Sequence, residues 1–247
     1  MSEVRRSRYP GYDVMQKRDT PSWDDVTREV IDERLAQRNE PRFCNDTQWR
    51  ALDALCAVIV PRSRASSSVS PASSERAKTN ASGDDSGERA DDRWAEASVP
   101  VAGLVDRKLQ ADGRDGYRDA RLPPLRDAWR IGLAALDAES RQAHGAAFAD
   151  LDRAQQRGLL TRMQRGELKD AAWQGMPCDV FFSLRVLHDI GSAYYAHPQS
   201  WNEIGFGGPA NPRGYVRMQA NRRDPWEASE AKPGHEARAL EENRRAR

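Results

Sequence analysis

Between residues 178 and 195 the apolar side chains Phe181, Phe182, Leu184, Leu187, Ile190 and Tyr194 recur every three or four positions. They form the most apolar helical face in the chain. No stretch shows the period-2 alternation bounded by hairpin signals that strands require. The fold class that follows is all-α. We expect an irregular domain of about five or six helices, with an extended N-terminal arm and a long Gly/Pro-rich C-terminal loop.

The remaining helices follow from the same spacing. Ser22, with Asp25 three residues on, predicts a helix start whose face is Val26, Val30, Ile31 and Leu35, opposite Arg28, Asp32, Arg34 and Arg38. Asn45 and Gln48 predict a second start, followed by Trp49, Leu52, Leu55, Cys56, Ile59 and Val60 and stopped by Pro61. Val99, Val101, Leu104, Val105 and Leu109 predict a third helix, broken at Asp112-Gly113. A longer one begins after Pro123-Pro124 with Leu125, Trp129, Leu133 and Leu136 on one side. Asp152 and Gln155 form another capping box ahead of Leu159, Leu160 and Met163.

Five segments result. Residues 1–42 are the arm and its amphipathic helix, and 43–61 the first core helix. Residues 62–97 are rich in Ser, Ala, Asp and Arg, with Val69 and Trp94 as the only large apolar residues, and are expected to be a disordered insertion. Residues 98–218 carry the rest of the helical core and the loop. Residues 219–247 are a charged tail, read either as a short solvated helix over 236–244 or as simply disordered.

Lys and Arg number 39 against 38 Asp and Glu, so no basic stripe for a nucleic acid is expected. No run approaches the roughly 18 apolar residues of a membrane span. Arg5-Arg6 is followed by Ser-Arg-Tyr-Pro-Gly-Tyr-Asp and no apolar segment, so the chain is expected to lack a twin-arginine export signal. The three cysteines form no C-x-x-C pair. Cys56 is expected to be a buried thiol, and a bridge between Cys44 and Cys178 stays open.

A search for chemistry removes most readings. The run Gly205-Phe206-Gly207-Gly208-Pro209-Ala210 has the spacing of a dinucleotide fingerprint. That turn needs a strand before it and a helix after it, and here a helix precedes while Pro209 and Pro212 obstruct the next. The histidines His144, His188, His197 and His235 contain no i, i+4 pair for a metal. No catalytic, cofactor-binding or metal-binding residue is therefore assigned. A pocket around His188, His197 and Glu203 is kept as the alternative of a free-standing enzyme. The expected interface anchors are Tyr9, Tyr12, Trp201, Ile204, Phe206, Tyr215 and Trp226, aromatic or apolar residues in the arm, the Gly-rich segment and the tail. Glu203 is expected to anchor the loop by accepting backbone N–H groups of the Gly-rich turn.

The stretch Phe181-Phe182-Ser183-Leu184-Arg185-Val186-Leu187-His188-Asp189-Ile190-Gly191, then Tyr194-Tyr195-Ala196-His197-Pro198, then Trp201-Asn202-Glu203-Ile204-Gly205-Phe206-Gly207-Gly208-Pro209, resembles the gluconate 2-dehydrogenase subunit 3 family. Residues 148–160, with F-x-x-L-x-x-x-Q-x-x-x-L-L spacing, and residues 43–61 are similar to the same family. The likeness covers 43–61 and 98–218. It implies a small, cofactor-free accessory subunit of a membrane-associated dehydrogenase that oxidises a sugar, a sugar acid or a related alcohol. FAD and the oxidation would belong to a large flavoprotein partner of the glucose-methanol-choline type, and a multiheme cytochrome c subunit would carry the electrons onward. The small subunit would assist folding or export of the flavoprotein and stay bound, or leave as a transient assembly chaperone. Two departures from the family stand out: the missing twin-arginine signal and the insertion at 62–97. The first implies either a cytoplasmic chain or one carried to the periplasmic face by a partner that bears the signal.

Overall fold

Asn45 and Asp152 each accept a hydrogen bond from the backbone N–H three residues on, and Gln48 and Gln155 return one to the cap. These two capping boxes start α2 and α5 as the spacing predicts. The computed structural model describes residues 7–60, 99–113, 116–212, 214 and 223–246. Within them the helices are α1 (Asp25–Leu35), α2 (Asp46–Ile59), α3 (Val101–Gln110), α4 (Leu125–His144), α5 (Arg153–Gln164), α6 (Cys178–Phe181), α7 (His188–Tyr195), α8 (Pro198–Ile204) and α9 (Glu236–Arg244). No named strand lies among the described residues, and the fold is all-α. The 62–97 insertion lies outside them.

The main core joins α2, α3, α4, α5 and the α6–α7 run. Trp129 and Phe148 are fully enclosed, and Phe181 sits edge-on to Trp129 at 5.4 Å and to Trp173 at 5.9 Å. Gly132 makes this cluster possible, because a Cβ there would come within 2.2 Å of the Phe181 ring. Cys56 is buried as expected, and all three cysteines are free thiols, which closes the question of a Cys44–Cys178 bridge.

Three local expectations are corrected. The cap of α1 is Asp24, whose carboxylate accepts from the Thr27 N–H, while Ser22 is buried one turn earlier. The apolar stripe of α1 is also split: Ile31 is enclosed and Leu35 partly so, but Val26 is 68% exposed. The expected face over 178–195 is interrupted by a π-helical turn at Phe182–Leu187. That wider turn shifts the phase by about one residue, so Val186 and Ile190 point inward while Leu184 and Leu187 are half exposed.

Buried carboxylates tie the helices where apolar contact alone would leave the chain loose. Asp106 of α3 is fully buried and accepts the backbone N–H groups of Arg42, Phe43 and Cys44 at 2.6, 2.9 and 2.8 Å. It thereby fixes the approach to α2; burial first, and Asp106 second, raise the Cys44 thiol well above its ordinary range. Asp189 of α7 accepts from Trp129 Nε1 at 2.7 Å and from Lys108 Nζ at 2.9 Å.

Candidate functional site

The segment after Tyr195 is not the loop its glycines suggest. His197 caps α8 by accepting from the Gln199 N–H, and Pro198 occupies the first helical position, where the missing N–H costs nothing. Gly205, in the left-handed region at φ 68°, ends the helix. Trp201 and Glu203 are therefore helical residues. Trp201 is 3% exposed, donates from Nε1 to the Tyr195 carbonyl at 2.7 Å and meets Phe206 edge-on at 5.6 Å.

The glycines that follow make room for the N-terminal arm. A Cβ on Gly205 would lie 2.6 Å from the Tyr9 ring, and one on Gly208 would lie 2.9 Å from Val14. With no side chains in the way, the loop's carbonyls are open to donors on the arm. Lys17 Nζ donates to the Gly207 carbonyl at 2.9 Å and to Tyr12 Oη at 3.0 Å, and Trp23 Nε1 donates to the Pro209 carbonyl at 2.9 Å. Asn202 of α8 joins both sides, accepting from the Val14 N–H and donating to Asp13. Tyr12, Val14, Trp23, Ile31 and Trp201 thus form a second apolar cluster, separate from the main core. The tail closes over it: α9, a segment whose sequence allows a solvated helix or disorder, sends Asn243 Nδ2 to the Pro10 carbonyl, and the Ala231 N–H reaches the Arg8 carbonyl.

The expected interface residues thereby divide. Tyr12 and Trp201 are buried by their own chain, and Tyr9 and Trp226 are partly covered. Ile204 and Phe206 stand 43% and 42% exposed beside Tyr195, at 56%. Tyr215 lies outside the described residues. Glu203 does not receive the backbone of the Gly-rich turn; its carboxylate accepts from the Tyr194 hydroxyl. Burial and that carboxylate raise the Tyr194 phenol above its ordinary range.

The three residues of the enzyme alternative are not brought to one place. His188 is half exposed and turns Nδ1 to Asp189 at 3.1 Å. Glu203 accepts from the Tyr194 hydroxyl and does not line the pocket that His197 lines. Only His197 lines the half-enclosed pocket between α1, α3 and α7, which sequence reasoning had no means of locating because its walls come from three separate segments. Among the described residues no group of three His, Cys, Asp or Glu side chains is placed to hold a metal ion, and no helix is long and apolar enough to cross a membrane.

His197 has a measurable consequence. Burial first, and the Arg34 charge second, lower its pKa from 6.5 to about 4. Between those values the unfolded chain binds a proton that the folded chain excludes. The stabilisation is complete above pH 6.5 and is lost as pH falls toward 4, by about 3 kcal/mol in all. Urea unfolding from pH 7 to 4 should therefore show a steeper loss for the native chain than for His197→Asn, which keeps a cap acceptor without titrating. Parallel pH curves would contradict this.

The sequence model of one family, described as gluconate 2-dehydrogenase subunit 3, matches residues 46–208. No curated protein and no solved structure matches the chain. The match starts at the first residue of α2 and ends inside the glycine loop, so the arm, α1 and the tail lie outside it. Running through the main core, the α6–α7 helix and α8, and covering well over half of the sequence, it makes the chain a member of the gluconate 2-dehydrogenase subunit 3 family.

Proposed function

We propose that this protein is a non-catalytic accessory subunit that binds and stabilises an FAD-dependent dehydrogenase acting on a sugar, a sugar acid or a related alcohol. The observation that carries the reading is the family match over the helical domain, since the family is defined as one subunit of a dehydrogenase complex. The part-exposed Tyr195, at the end of α7, and Ile204 and Phe206, at and just beyond the end of α8, supply apolar surface for a protein contact to cover. The FAD and the oxidation belong to the partner in this reading, and a cytochrome c subunit takes up the electrons.

Co-expression with its FAD-dependent dehydrogenase partner should yield a yellow complex containing both chains. Ile204→Asp with Tyr195→Asp should reduce the recovered flavoprotein at least tenfold, with the melting of the isolated chain followed in parallel to separate loss of contact from loss of fold. Isolation of a fully folded, FAD-loaded flavoprotein in the absence of this chain would overturn the proposal. Loss of the small chain from the mature complex on size exclusion would reassign it as a transient chaperone.

A further inference from the structure

The pocket between α1, α3 and α7 has a volume of about 240 Å³, below the roughly 300–1,000 Å³ of sites that hold drug-sized ligands. Leu104, Val105 and Ala193 give it an apolar wall, and Arg34, Lys108 and His197 bring nitrogen donors to its edge. One carboxylate, Asp189, also lines it, and that group already accepts from Lys108, Trp129 and His188. Arg34 has no carboxylate partner among the described residues. It donates one N–H to the Ala196 carbonyl at 3.0 Å, and a guanidinium carries five.

His197 completes the site. Its side chain is nearly enclosed, at 5% exposure. Nδ1 accepts from the Gln199 N–H at 3.3 Å, which puts the ring proton on Nε2. Nε2 makes no hydrogen bond to a described residue, and His197 lines the pocket. The pocket thus offers a guanidinium with no carboxylate partner among the described residues and an imidazole N–H beside a hydrocarbon wall. Its two cations against one carboxylate leave one positive charge to neutralise.

From this we infer that the α1–α3–α7 pocket binds a small aliphatic monocarboxylate, its carboxylate on Arg34 and His197 Nε2 and its alkyl chain against Leu104, Val105 and Ala193. The apolar wall selects against polyols and against inorganic anions, which would leave it covered by nothing. The site does not depend on the partner reading above, because all of its walls belong to this chain.

The test is a calorimetric titration of the full-length chain with butyrate, run beside gluconate and inorganic phosphate, with the His197 ring resonances followed by NMR. Butyrate should bind with a dissociation constant of about 1 mM or lower, as expected for a six-heavy-atom ligand of ordinary efficiency, and should shift the His197 signals. Arg34→Gln should weaken it at least tenfold, and Ala193→Met, which fills the pocket without removing a charge, should abolish it. Phosphate and gluconate should bind at least tenfold more weakly. Absence of butyrate binding at about 20 mM, binding unchanged by both variants, or phosphate or gluconate binding as tightly as butyrate would each overturn the assignment. Unchanged thermal melting of either variant separates loss of the site from loss of the fold.

Discussion

Asp189→Ala is expected to destabilise the protein by about 3 kcal/mol, within the range for breaking one side of a buried, hydrogen-bonded charge pair. The carboxylate has no solvent exposure, and Lys108, its partner, is 24% exposed. Removal leaves the Trp129 Nε1–H without an acceptor in the centre of the core and strips Lys108 of its counter-charge. The ammonium can turn toward water, which limits its share of the loss; the indole cannot, and an orphaned buried donor costs about 1–3 kcal/mol by itself. Asp189→Asn keeps an acceptor for the indole and should recover part of the stability. Combining it with Lys108→Met, which removes the uncompensated charge, should recover most of the rest. Equilibrium urea unfolding at pH 7 measures all three. An Asp189→Ala cost below about 0.5 kcal/mol, the size typical of a neutral surface change, would show that the pair does not hold α3, α4 and α7 together.

Asp189 also marks the limit of what the sequence discloses. Beside His188 it resembles half of an acid–base pair, and only the long-range approach of Lys108 and Trp129 turns it into a structural anchor. Where the cause is local, the sequence is informative: the capping boxes at Asn45 and Asp152 and the helix over Glu236–Arg244 all depend on residues a few positions apart. The α1 cap moves from Ser22 to Asp24 because two suitable caps stand close together, and Ser22 is drawn into the buried turn before the helix. Leu184 and Leu187 fall outside the core because a π turn carries no pattern of its own in an apolar run. The glycines at 205–208 are legible as a requirement for close approach. What approaches, the arm some 190 positions earlier, is not.

That approach makes Trp23 the second sensitive position. Trp23→Ala should cost about 3–5 kcal/mol, the usual range for a fully packed tryptophan. The side chain is 2% exposed among Tyr12, Val14, Ile31 and Trp201, and its Nε1 donates to the Pro209 carbonyl at 2.9 Å. Because this cluster is separate from the core around Trp129, the loss should be felt as local opening rather than global unfolding. Hydrogen exchange should accelerate in the arm, α1 and the 205–208 loop while α2 and α4 keep their protection. Trp23→Phe, which retains most of the apolar volume and loses the hydrogen bond, should cost about 1–2 kcal/mol. Uniform loss of protection across α2 and α4 would mean that the arm is part of the main cooperative unit. Selective opening would instead show that the arm is a latch on the end of the domain that carries Ile204 and Phe206, so that the same substitution weakens flavoprotein capture without unfolding the helical core.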